Sequence, residues 1–322
     1  MRPFSVFRLS HAITEKMAII VSLDIVQGIK DGLDNEIHFI DQEGGPVNCI
    51  AEIKESSVIL TKDRPKRYVT ISAAFTQVLW MICDIVLRNH DSIAINEEIN
   101  SMSAEQYIQF QNVLKVDSPF TKFLKSLISE QNTFAYSAKQ INMIEVIMNR
   151  CLAETEMDVL YMYDMESDFG VRVNSMYVYA MTFNLLHEFS HHSLNHILNN
   201  EGTLEEEVTA DQSAFWGMFS DLEDSEHNTA MIGVVCSLIS MIFQNTNLED
   251  DHIHPLPVER IFTYYDLVKD ENPKIAGLLV NLFYAWAVYT HNEDMPKQNG
   301  TYEDTLNLIR KYIINLEHKN NL

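Results

Sequence analysis

Two kinds of residue are scarce in this chain of 322 residues. Cysteine occurs only at Cys49, Cys83, Cys151 and Cys236, far apart and without a CxxC pair. That argues against a disulfide-stapled fold and against a cysteine-rich zinc ribbon, and it leads us to expect a reducing, cytoplasmic setting. Positive charge is the second deficit. Against 46 Asp and Glu stand 23 Lys and Arg, a formal net charge of -23. A field of that sign repels phosphate backbones, so no nucleic-acid partner is expected without a local basic patch. The clearest basic run, residues 62–67, also holds Asp63 and Pro65 and reads as a solvated turn.

Long apolar runs are missing too. The best candidate for a membrane span, residues 275–290, is short for a bilayer and contains Asn281, Tyr284 and Tyr289, so it reads as a buried helix and no membrane span is expected. Near the N-terminus His11, Glu15 and Lys16 interrupt the apolar residues, which argues against a cleavable secretory signal. No internal repeat, low-complexity linker or helix-turn-helix pattern is evident. The residues present are 46% hydrophobic and 21% charged, which suits a globular chain able to bury a substantial core.

The hydrophobic pattern changes along the chain. Within residues 35–72, EIHFID, CIAEIK and SVILTK alternate apolar and polar positions, and Gly44-Gly45-Pro46 and Arg64-Pro65-Lys66 punctuate them as turns. This predicts a small N-terminal antiparallel sheet. From Ala73 the spacing becomes helical, over roughly 73–89, 103–115, 119–130, 138–164, 174–198, 203–220, 226–245, 256–269, 273–290 and 302–317. The expected fold class is α+β, mainly α: the small N-terminal antiparallel sheet, then a helical core. A polar break at residues 167–170 suggests an N-terminal mixed region, 1–166, for recognition or regulation, and a helical region, 167–322; the two can equally form one domain.

The densest chemical signal is His187-Glu188-Phe189-Ser190-His191. Residues four apart project from one face of a helix, so His187 and His191 can present ring nitrogens to one metal ion with Glu188 beside its open side. This is the HExxH zinc-peptidase pattern, in which the metal polarises a carbonyl and the Glu takes the proton of the attacking water. The flanking sequence has no Gly or Pro over 174–198, as a continuous helix requires. After a polar break at Asn199-Asn200-Glu201-Gly202, a second helix beginning near Thr203 carries Glu207 and Asp211 one turn apart. Glu207 can be the third zinc ligand and Asp211 can accept the free ring N–H of a ligating His. Glu205 and Glu206 fit an acidic helix start, although a shift of the helix would promote Glu206 to ligand.

His187, Glu188 and His191, followed by Glu207, Ala210 and Asp211, resemble the HExxH and ExxAD motifs of the gluzincin peptidases. Position 197 is Ile, which departs from the metzincin pattern. Downstream, His254-Pro255 and Glu259-Arg260 look like the HP…ER segment of several gluzincin families. That resemblance implies that His254 hydrogen-bonds the oxyanion, with His252 as competitor, and that Arg260 braces the acidic groups behind the metal. In length, motif position and element order the chain is most similar to the Lit-type phage-exclusion peptidases of bacteria. The likeness implies a zinc endopeptidase that cleaves a protein substrate, elongation factor Tu, in antiphage defence once a phage peptide provides the trigger.

Two other functions stay open at this point. One is a regulatory metallopeptidase that cleaves a repressor or antitoxin. The other is a non-catalytic scaffold held by zinc, against which Glu188 argues because a structural site needs no general base. His192 and His196 read as exposed helix residues, and Tyr177, Tyr179 and the methionines around them as packing. The sequence does not indicate the oligomeric state.

Overall fold

The computed structural model describes residues 33–40, 51–61, 64–129, 136–142, 144, 167–194, 196, 203–220, 222–244 and 256–320; side chains are described from Phe75 onward, except at 192, 193 and 317–320. The first described elements are the strands β1 (Leu33–Ile40), β2 (Ala51–Thr61) and β3 (Arg64–Ser72). They are followed by α1 (Ala73–Ser101), α2 (Ala104–Leu114), α3 (Pro119–Ile128) and α4 (Asp168–Ser193). The chain continues through α5 (Leu204–Phe219), α6 (Asp224–Gln244), α7 (Pro257–Val268), α8 (Lys274–Tyr289) and α9 (Tyr302–Asn320).

This corrects the expected fold class. All residues with described side chains belong to helices and their connections, with no strand among them, and the antiparallel N-terminal sheet is not found. The three strands ahead of the helices are ordered β1-β3-β2, and β1 runs parallel to β3 while β2 runs antiparallel to it. The reason is that a period of two reports which faces differ but says nothing about the direction of the neighbouring strand. The stretches CIAEIK and SVILTK were also expected as separate strands, yet both fall mainly within β2, whose register against β3 shifts between Glu55 and Leu60.

By proximity the chain divides into two units, one comprising residues 1–83 and 144–261 and the other residues 84–143 and 262–320. The first is built around α4, which is buried all round from Met176 to His187: Met176, Tyr177, Ala180, Met181, Phe183, Leu185 and Leu186 are all inaccessible or nearly so. That stretch has no solvent face because neighbours cover every side of it, whereas Val171, Arg172 and Ser175 in the first turns are exposed. On one side α6 approaches closely at Gly233, where an added Cβ would lie 2.7 Å from Tyr179 Cβ. There the buried Ser237 hydroxyl donates to Asn184 Oδ1 at 2.6 Å. On another side Phe215 of α5 stacks on Phe183 with ring centroids 5.1 Å apart. Trp80 Nε1 donates to Asn174 Oδ1 at 2.8 Å and ties α1 to α4. These contacts fix α4 along most of its length and hold its C-terminal turns, where the HExxH segment lies.

In the second unit the Asp84 carboxylate accepts hydrogen bonds from Arg88 and Tyr136, and the Arg88 guanidinium lies over the Tyr136 ring at 4.3 Å. Burial pushes the Asp84 carboxyl up despite the nearby Arg88. Phe262 stacks on Phe283 at 5.6 Å, and Arg310 covers Phe262 while pairing with Asp266 at 2.9 Å. The segment 275–290, expected as a buried helix, lies almost wholly in α8, most of whose residues are buried. Among the described residues one helical stretch, Asp224–Phe243 in α6, is long and apolar enough to cross a membrane, and most of it is buried within the fold.

Candidate metal centre

The site is assembled from two adjoining helices and the start of a third. His187, Glu188 and His191 stand on the last two turns of α4, which ends at Ser193 rather than continuing to 198 as the sequence suggests. Glu207 and Asp211 stand on α5, and Arg260 on the first turn of α7. Helix α5 begins where expected because Thr203 caps it: its hydroxyl accepts from Glu206 N at 3.2 Å, and Glu206 Oε2 accepts from Thr203 N at 3.0 Å. This capping box occupies Glu206 and turns Glu207 to the buried face, which removes the ambiguity between the two.

Three side chains converge at the centre. His187 Nε2 and His191 Nε2 lie 3.1 Å apart. Glu207 Oε2 lies 3.3 Å from His187 Nε2, and Glu207 Oε1 lies 3.2 Å from His191 Nε2. A tetrahedral ion with bonds of about 2.0–2.1 Å separates its ligand atoms by about 3.3 Å, so this spacing is that of a ligand set. The residues present therefore fit a divalent metal ion, and among the described residues they form the one such cluster of at least three His, Cys, Asp or Glu side chains.

Behind the cluster runs a chain of buried polar contacts. His187 Nδ1 lies 2.9 Å from Asp211 Oδ1. Arg260 grips the same carboxylate with two bonds, Nε to Oδ2 at 2.7 Å and Nη2 to Oδ1 at 2.5 Å, while its Nη1 donates to Met241 Sδ at 3.1 Å. A bidentate charge-assisted pair of this kind is short and strong, and it satisfies groups that would be costly to bury alone. Burial alone would raise the Asp211 carboxyl, but Arg260 and His187 hold it below the usual carboxylate range. Glu207 is held well below that range, its burial outweighed by hydrogen bonds with both imidazoles. For His187, burial pulls downward, yet the hydrogen bonds with Asp211 and Glu207 prevail and push it up to about 9.

Glu188 stands beside this cluster. Burial raises its carboxyl, opposed by the two imidazoles. Asp211, by contrast, accepts from Arg260 through both of its oxygens. His252 and His254 lie outside the described residues. Sequence reasoning missed two participants. Met241, from α6, gave no signal, since a thioether acceptor has no pattern. His196 was expected on an exposed helical face, but α4 has ended by then, and the half-buried ring turns back to place Nδ1 3.1 Å from His191 Nδ1.

Neither the comparison with curated proteins nor that with solved structures gives a match. The model of the family described as Peptidase U49 matches residues 69–279, well over half of the chain and inclusive of every residue of the cluster. The chain belongs to the peptidase family U49.

Proposed function

We propose that this U49 peptidase is a zinc-dependent endopeptidase of the gluzincin kind, cytoplasmic, and that it cleaves a specific intracellular protein in bacterial antiphage defence. The observation that carries the zinc reading is the convergence of His187 Nε2, His191 Nε2 and a Glu207 oxygen at ligand spacing, all within 4.8 Å of one another. Three protein ligands leave a fourth position for water or substrate, which is the composition of a catalytic rather than a structural site. A bound zinc ion would supply Lewis acidity to the scissile carbonyl and to the attacking water.

The chain's own residues do the rest. The Glu188 carboxylate takes the proton from the attacking water and delivers it to the departing amide nitrogen, a role for which its raised proton affinity suits it. Asp211 fixes the His187 ring by accepting its Nδ1–H, so that Nε2 keeps its lone pair for the ion. Arg260 holds Asp211 in place and neutralises it. His254 is assigned to the oxyanion by its resemblance to gluzincins alone. The defence role and elongation factor Tu as substrate rest on the Lit-type resemblance in the same way. Such an enzyme must stay idle until infection, because free cleavage of a translation factor would kill its own host.

The decisive experiment compares new protein termini across the proteome of cells expressing the wild type or Glu188→Gln, with and without phage components. A fragment of elongation factor Tu made only by wild type, and only with the trigger, is the expected result. Growth arrest with elongation factor Tu whole overturns the substrate assignment. If wild type and Glu188→Gln yield the same termini under every condition, the enzymatic mechanism falls.

A further inference from the structure

We infer that His196 is a positioning residue for His191, acting through the ring nitrogen that faces away from the metal; the inference rests on the zinc reading above. His191 turns Nε2 inward, 3.1 Å from His187 Nε2 and 3.2 Å from Glu207 Oε1. A ligating nitrogen must offer a lone pair, so the single proton of the neutral His191 ring is on Nδ1. That N–H meets His196 Nδ1 at 3.1 Å, with the rings edge to face, 72° apart in plane and 5.2 Å between centroids. The direction of the bond follows. His191 donates, His196 accepts at Nδ1, and the proton of His196 is on Nε2.

The two ligand imidazoles are therefore held in matching ways by different chemistry. His187 is fixed through its Nδ1 by a carboxylate that Arg260 neutralises, and His191 through its Nδ1 by a neutral imidazole. Neither arrangement adds net negative charge beside the ion beyond that of Glu207. His196 also lies past the C-terminal end of α4, so the chain beyond the helix, rather than the helix itself, sets the orientation of the second ligand. Fixing the tautomer and rotation of a ligating imidazole is what such partners do, and their loss weakens metal binding by about 10–100-fold.

The test is zinc affinity, measured by chelator competition on the purified wild type and on His196→Ala and His196→Asn. The Asn carboxamide oxygen is as many bonds from Cα as the His Nδ1, so it can accept the same bond without an imidazole. His196→Ala is expected to weaken zinc binding about 10–100-fold and His196→Asn to restore it to within about threefold of wild type. In nitrogen-correlated NMR spectra of the zinc-loaded wild type, His191 is expected as the Nδ1–H tautomer and His196 as the Nε2–H tautomer. Wild-type affinity in His196→Ala, an equal loss in both variants, or a proton on His196 Nδ1 overturns the assignment. A wild type that binds no zinc overturns the metal reading itself, and so is told apart from failure at His196 alone.

Discussion

Asp211 Oδ1 lies 2.9 Å from His187 Nδ1 while the same carboxylate is clasped by both arms of Arg260, so one buried acid serves an imidazole and a guanidinium at once. The three groups act as a unit, and their removal is not additive. Asp211→Asn keeps the shape but weakens the acceptor and leaves a buried guanidinium without its counter-charge. Zinc affinity is expected to fall about 10–100-fold. Arg260→Met, which leaves Asp211 charged and poorly paired, is expected to cost about 3–5 kcal/mol of folding stability in chemical denaturation. If Arg260→Met leaves stability unchanged, the clasp has no structural weight.

Metal content separates ligands from chemistry. One zinc per chain is expected by elemental analysis of the wild type. His187→Ala, His191→Ala and Glu207→Ala each remove one of three ligands and should lose most of it. Glu188→Gln should retain both fold and zinc while activity on an identified substrate falls by at least about 100-fold, because an amide does not accept the water proton. Full zinc content in a His187→Ala, His191→Ala double variant excludes this site.

The fold was legible as helices and the site as a motif, for a common reason. HExxH works through a four-residue spacing on one helix, so His187, Glu188 and His191 need no tertiary knowledge to be grouped. Glu207 and Asp211 were readable because a second helix start lies close in sequence, and Thr203 and Glu206 mark that start with their own capping chemistry. The contact of Arg260 with Asp211 spans 49 residues, and only resemblance pointed to it. His196 was misjudged because the helix was extended past Ser193: continued helical geometry turns residue 196 away from His191, whereas the actual end of α4 lets it fold back. The strand directions were misjudged because alternation cannot distinguish β1 parallel to β3 from an antiparallel partner.

The metal-free site should show its protonation in the pH dependence of stability. His187 has its proton affinity raised from an ordinary 6.5 to about 9 by Asp211 and Glu207, despite burial. A folded-state value above the unfolded one means that the contribution is complete below pH 6.5 and is lost as pH rises through about 9. Chelator-treated protein should therefore lose stability across that window, and His187→Gln should flatten the loss. With zinc bound the sense reverses below neutrality, because the ion competes with the same proton. Metal-free stability that is flat from pH 6.5 to 9 would contradict the coupling among His187, Asp211 and Glu207.

Two glycines test how tightly the ligand-bearing helix is held. At Gly217 on α5 an added methyl would meet Leu186 Cδ1 at 3.8 Å, an ordinary contact, so Gly217→Ala should gain helix propensity and stabilise by about 0.5–1 kcal/mol. At Gly233 on α6 the same methyl would lie 2.7 Å from Tyr179 Cβ, 3.1 Å from Met176 O and 3.2 Å from Ala180 N. None of these is the far end of a flexible side chain, so the backbones of α4 and α6 must move apart. Overpacking of that kind costs about 1–3 kcal/mol, which exceeds the propensity gain of up to about 1 kcal/mol. Gly233→Ala is therefore expected to be destabilising and Gly217→Ala stabilising in parallel denaturation curves. Met176 and Ala180 precede His187 on the same helix, so the displacement at Gly233 should also weaken zinc binding, although no ligand is touched. Equal effects of the two substitutions would show that α6 does not press on α4 as described, and would remove the packing by which α4 holds its two histidines in place.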